Sequence, residues 1–301
     1  MVHWTELGGK RLLQPFFEQD LQGHMQQPFH QLFRRETGIE ELLEWGEQSA
    51  SLPLRGVILH MSRCGSTLIS QMLAAVPHYV VASEPSPLDQ VLRSQVHAPG
   101  LSREMLVRWT RAMVVALAQP RAGGEDGFFV KLDCWHLHQV DLLREAFPDV
   151  PFVFLYREPL EVMASHARIP AAWTVPGLLH PLILGLQQED WQPQALEVYC
   201  ARALQNICEA GVVAAERYGA LLLNFTELPA AMFGRVARHF DLRLEDFPAM
   251  LEQSRRNAKE PMMPFVSDSS EKRASASLQV KAATETYLRD VYERLEAARL
   301  A

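Results

Sequence analysis

The chain has 301 residues, 48% of them hydrophobic and 22% charged, enough to bury a sizeable core in one large α/β domain or two small ones. Its 29 basic residues against 36 acidic give a formal charge of −7, which excludes a general nucleic-acid surface and confines any anion site to a local basic pocket. No run reaches the roughly 18–20 apolar residues of a membrane span, and the start Met1-Val2-His3-Trp4-Thr5-Glu6 lacks a signal-peptide pattern. Four cysteines without metal-like spacing (Cys64, Cys134, Cys200, Cys208) point to reduced thiols and a cytoplasmic protein.

Residues 1–50 read as a helical extension packed on a main α/β domain of residues 51–301. Phe16, Phe17 and Leu21 share one helix face, and Ile39, Leu42, Leu43 and Trp45 mark a second helix. The S-A-S-L-P stretch at 49–53 leads into a short apolar strand, Val57-Ile58-Leu59. A polar hexamer follows, Ser62-Arg63-Cys64-Gly65-Ser66-Thr67, and then Leu68, Ile69, Met72, Leu73 and Val76 on one helix face. Pro77 stops that helix, and Val80-Val81-Ala82 forms the next strand, ending at Ser83-Glu84-Pro85. A helix after Pro85 and a longer one over 101–119 precede a third strand, Phe128 to Leu132, with a crossover helix over 135–147. Phe152 to Tyr156 is the fourth strand. It leads through Arg157-Glu158-Pro159 into a helix, since proline suits a first helical turn.

Residues 167–193 are apolar but too rich in proline and glycine for one helix; this stretch, with Trp173, His180 and Trp191, is either a lid or a packed irregular connection. A long helix over 195–218, a fifth strand at Leu221 to Asn224 and a helix over 227–240 follow. The chain then turns polar, and an amphipathic helix over 278–300 ends it. Strands alternating with helices predict a three-layer α/β fold with a mostly parallel sheet. Ligands of such sheets bind beyond the carboxyl ends of the strands, where Arg63, Glu84, Lys131 and Arg157 fall.

A strand, a glycine turn and a hydroxyl-rich helix start aim backbone N–H groups and a positive helix end at an anion. The nucleotide-hydrolysing loop G-x-x-x-x-G-K-[ST] is absent: Ser66 stands where its lysine would, and His60 where its first glycine would. The pattern Arg63-Cys64-Gly65-Ser66-Thr67 instead resembles the 5′-phosphosulfate loop of sulfotransferases that use 3′-phosphoadenylyl sulfate (PAPS). Arg157, Pro159 and Ser165 resemble the R-[DE]-P-x-x-x-x-x-S motif with which that family grips the 3′-phosphate, a task suited to a guanidinium fork. The resemblance extends over roughly residues 57–240.

It implies a three-layer P-loop-like fold and sulfuryl transfer from PAPS to a hydroxyl or amine, releasing adenosine 3′,5′-bisphosphate, with no metal. Arg63, Cys64, Gly65, Ser66, Thr67, Arg157, Ser165 and, in a late basic loop lacking the expected R-K-G, Arg273 would bind the nucleotide. Arg63, Glu84 and Lys131 would be catalytic. Phenol and steroid sulfotransferases carry a histidine base in K-T-H after the middle strand, but this chain reads Lys131-Leu132-Asp133. Glu84, 21 residues beyond Arg63, matches the glutamate base of tyrosine-protein sulfotransferases; His136 and His138 are reserves, and Glu84 could instead cap the helix at Pro85. The acceptor is left open among small molecule, carbohydrate, lipid and peptide. A divergent P-loop kinase, marked by Mg-dependent ATP turnover, and a non-catalytic 3′-phosphoadenosine nucleotide-binding module are the alternatives.

Overall fold

The computed structural model describes residues 1–187, 194–258 and 269–301. β1 (Val2–Trp4) pairs antiparallel with β2 (Arg35–Thr37), around α1 (Phe17–Met25) and α2 (Pro28–Leu32) and ahead of α3 (Ile39–Gln48). The first fifty residues are therefore a ribbon with three helices. Three-residue strands are too short for a period-two pattern to reveal.

The main body continues with β3 (Leu54–His60), α4 (Ser66–Ala74), β4 (Tyr79–Ser83), α5 (Ser86–Leu92), a short α6 (Ser94–His97), α7 (Arg103–Leu117) and β5 (Gly127–Lys131). After a 3-10 turn over Cys134–Gln139 come α8 (Val140–Ala146), β6 (Phe152–Tyr156), α9 (Pro159–Arg168), α10 (Leu196–Tyr218) and β7 (Leu221–Asn224). α11 (Arg235–Phe240), α12 (Phe247–Ser254), α13 (Ser269–Ser275), α14 (Leu278–Tyr287) and α15 (Arg289–Leu300) complete it. The expected helix over 227–240 is broken at Pro229 and Gly234, and the final helix bends at the fully buried Leu288.

The five main strands form one parallel sheet in the order β4-β5-β3-β6-β7. Every residue of β4, β5 and β6 is buried, as continuous apolar strands between two helical layers should be. The chain leaves β3 toward β4 on one side and leaves neighbouring β5 toward β6 on the other. Such a reversal opens a crevice at the strands' carboxyl ends.

The extension shares the core of the sheet domain: Leu7, Leu12, Phe17, Leu42 and Leu43 belong to the same buried cluster as the sheet. Two polar anchors reinforce the junction. Arg11 Nη2 donates to the carbonyls of Ala74 and Val76 at 2.7 and 2.9 Å, meeting the negative end of α4, and Gln71 Nε2 donates to the Gln14 carbonyl at 3.1 Å.

Over its described part, the stretch that begins at 167 is a packed connection. Trp173 packs edge-on against His166, Leu184 and Leu186 are fully buried, and Gly185 lies against the His138 ring. Trp191 and Pro193 lie outside the described residues.

Candidate active site

The loop between β3 and α4 holds three residues in the left-handed region: Ser62 (φ 75°), Arg63 (φ 50°) and Gly65 (φ 89°). Successive amides in such a turn point into a common concavity, and no side chain caps the start of α4. The Ser66 N–H hydrogen-bonds toward the Cys64 sulfur, and the Thr67 N–H is left to the loop's concavity. Cys64 contributes by backbone alone, because its Sγ turns inward to the Leu155 carbonyl at 3.2 Å and burial pushes the thiol up to about 11. Arg63 Nη2 donates to the Ile169 carbonyl at 2.9 Å, just past the end of α9. Burial and the nearby Arg168 cation lower its pKa, so two guanidinium charges gather on this side of the loop.

Arg157, at the end of β6, is buried, and its Nε donates to Glu161 Oε2 at 2.6 Å. Arg273 Nε donates to the other oxygen of Glu161 at 2.8 Å, so one carboxylate links the two arginines expected at the 3′-phosphate. Ser165 is buried on α9, one turn beyond Glu161, on the helix face that carries it. The Phe225 ring joins Arg157 to the loop. Its centroid is 4.1 Å from the guanidinium carbon, and its edge lies against Gly65, where a Cβ would come within 2.7 Å of the ring.

At the crevice itself, Lys131 is wholly buried and its Nζ lies 2.8 Å from Glu84 Oε1. Parallel pairing brings them together: Ser83 is in register with Lys131, and the Glu84 N–H donates to the Lys131 carbonyl at 2.7 Å. Lys131 Nζ also reaches Thr67 Oγ1 at 3.4 Å, linking the ion pair to the first turn of α4. Glu84 is itself in the left-handed region (φ 53°), a strained backbone of the kind found at functional sites. Burial raises the Glu84 carboxyl, but the Lys131 ammonium and His60 outweigh it and hold the group well below the usual carboxylate range.

Sequence reading passed over three residues here. His60 ends β3, and its Nδ1 accepts the Ser62 N–H at 3.0 Å, which places the ring proton on Nε2, 3.4 Å from Glu84 Oε1. Asp133 stands where the K-T-H histidine would. Burial, then the Glu84 and Asp89 charges, push its carboxyl up to about 8. Phe16, assigned only to packing, places its ring 4.8 Å from Lys131 Nζ. A hydrophobic-run signal marks none of them as chemical; only the strand-end positions of His60 and Asp133 could have done so.

His136 is not placed to act as a base. Its Nε2 donates to Asp89 Oδ1 at 2.9 Å and its Nδ1 accepts the Asp133 N–H at 3.2 Å, both ring nitrogens being used in a fixed network. Asp89, Asp133 and His136 bring ligand atoms within 4.8 Å of one another, a cluster the sequence spacing did not reveal. Trp135 Nε1 and Arg93 Nη2 also bind Asp89, at 2.9 and 2.7 Å, so protein donors engage its carboxylate.

A profile described as the sulfotransferase family matches residues 57–246, well over half of the chain. The chain belongs to the sulfotransferase family. Its fold is similar to the sulfotransferase domain from the curacin biosynthetic pathway, with a TM-score of 0.51 and 12% identity, covering 79% of this chain and 98% of that one. It is likewise similar to the sulfotransferase domain of the Synechococcus PCC 7002 olefin synthase (TM-score 0.50, 13% identity, 83% and 95% covered). Among curated proteins no significant sequence match is found. The family match begins at Val57 in β3 and so leaves the N-terminal extension outside it.

Proposed function

We propose that this family member transfers a sulfuryl group from PAPS to an acceptor hydroxyl, with Glu84 as the base. The observation that carries the reading is the uncapped start of α4 behind a loop of left-handed residues, joined through Phe225 to a buried arginine. One end of the crevice fits a 5′-phosphate and the other a 3′-phosphate.

The donor supplies an activated sulfuryl group, whose bond to the 5′-phosphate oxygen breaks as the acceptor oxygen bonds to sulfur. The Thr67 N–H holds the 5′-phosphate, and Arg63 offsets the charge left on it. Arg157, Arg273 and Ser165 hold the 3′-phosphate. Glu84 takes the acceptor proton. His60 is a positioning residue, its tautomer set by the loop amide and its Nε2–H facing the carboxylate. Lys131 keeps Glu84 ionised in the resting state and, through Thr67, ties the base to the phosphate loop. No helix of the described residues is long and apolar enough to cross a membrane.

Asp133 favours a second assignment of the base, because a carboxyl near 8 gains its charge as pH rises through neutrality. The pH profile separates the two. Glu84 is already ionised and gives no acid limb between pH 6 and 8, whereas an Asp133 base gives activity that climbs toward pH 8.

The nucleotide site is tested by calorimetric titration with adenosine 3′,5′-bisphosphate in the absence of magnesium, on wild type and Arg157→Ala. Metal-free binding, weakened in the variant by about 1.5–3 kcal/mol, the scale of a lost charge-assisted hydrogen bond, is expected. A folded wild type that does not bind the bisphosphate removes the reading.

A further inference from the structure

A cavity of about 1250 Å³ lies between residues 1–45 and the helices α5 and α7 rather than over the β3–α4 loop. Aromatic and aliphatic side chains dominate its wall, including Trp4, Trp45, Trp109, Leu42 and Met113. The chain crosses from the Glu84–Lys131 pair to this wall at two points. Phe16 rests its ring near Lys131 Nζ, and the next residue, Phe17, lines the cavity. Ser86, two residues beyond Glu84, lines it as well, and its hydroxyl bonds Glu18 of α1 across the rim. More of the wall comes from residues 1–45 than from the family-matched region, so the cavity is this chain's own construction.

We propose that this cavity is the acceptor site and that the acceptor is a lipid-like alcohol. Its apolar chain or fused-ring body would fill the cavity, and its hydroxyl would pass Phe16 to Glu84. The inference rests on the sulfotransferase reading. Pockets for drug-sized molecules run to roughly 300–1,000 Å³, so a single phenol would leave most of this space unfilled. Polar side chains such as Glu6, Gln22 and Arg121 share the wall, but a sugar or peptide would strand polar groups against its tryptophan and aliphatic part, at a desolvation cost that a single-hydroxyl lipid avoids.

The test is a chain-length series, 1-octanol, 1-decanol and 1-dodecanol, titrated calorimetrically into the full-length protein, with adenosine 3′,5′-bisphosphate titrated separately. Affinity should rise roughly two- to fourfold per methylene, as burial of each CH₂ demands. Ala116→Trp, which fills the cavity from α7, should weaken 1-dodecanol at least tenfold and leave bisphosphate binding unchanged. Gln90→Trp, at an exposed position on the same wall, puts no burden on folding and should also weaken it. With PAPS and 1-dodecanol, mass spectrometry should find the alkyl sulfate. Bisphosphate binding without alcohol binding overturns this inference alone, as does alcohol binding that neither variant weakens. Alcohol binding without bisphosphate binding overturns the acceptor role together with the sulfotransferase reading.

Discussion

At the scale of single residues, the site depends on one buried ion pair whose members come from neighbouring strands. Glu84→Gln removes the proposed proton acceptor and is expected to lower turnover by about 10²–10⁴-fold while bisphosphate binding persists. Single-turnover kinetics beside calorimetry would show it, and a variant of undiminished turnover would clear Glu84 of the base role. Asp133 makes a separate prediction about stability. Its carboxyl titrates near 8 in the folded chain and near 4 when unfolded. Between those values the folded state therefore holds a proton that the unfolded state has lost. Stability from this group is full below about pH 4 and is lost as pH rises toward 8. Asp133→Asn should thus gain thermal stability relative to wild type at pH 8.5 compared with pH 5. A melting-temperature difference that does not grow with pH would contradict it. Glu84 and Lys131 were legible in the sequence because each follows an apolar run; His60 was hidden because it completes one.

At the scale of elements, the β3–α4 loop and the start of β7's following turn act as one device. Gly65 is in the left-handed region and touches Phe225, so Gly65→Ala meets both backbone strain and a ring contact. A loss of roughly 1–3 kcal/mol of stability is expected, with weaker bisphosphate binding as Phe225 shifts off Arg157. Chemical denaturation and calorimetry read the two effects, and unchanged values for both would show the contact to be incidental. The loop itself was readable from residue order, because glycine and hydroxyls after an apolar strand have a local meaning. Phe225 was not, since nothing local to N-F-T-E-L says which distant arginine its ring will meet. The same limit applies to the helix expected over 135–147. Its apolar periodicity was visible, yet the chain enters it through a 3-10 turn that orients His136 toward Asp89.

At the scale of the whole molecule, the N-terminal extension and the sheet domain share one buried core. Leu42, fully buried in α3, tests that sharing: Leu42→Ala should cost about 2–5 kcal/mol. A single unfolding transition should move, monitored by calorimetry, whereas an independent N-terminal unit would show a second transition shifting alone. Close approach of α3 and α7 depends on small residues, for a Cβ on Gly46 would sit 3.1 Å from that of Ala112. Neither Gly46 nor Ala112 marks a contact in the sequence, so although packing of the first fifty residues on the main domain was predicted, the pair of helices that meets was open until the fold placed them. So was the cavity, whose wall draws on residues far apart in the chain.

The sequence alone determined the five parallel strands, their helical layers and the glycine loop between β3 and α4, because apolar periodicity, glycine position and helix-start chemistry act over a few residues. It also placed Arg63, Glu84, Lys131 and Arg157 at strand ends, and the fold keeps them there. Only the tertiary structure decided their electrostatics and their company. Parallel register sets Lys131 against Glu84, the turn after β3 aims His60 at the same carboxylate, and the docked extension lays Phe16 beside them. Those contacts join residues tens of positions apart, and their energies depend on burial that exists only once the layers close.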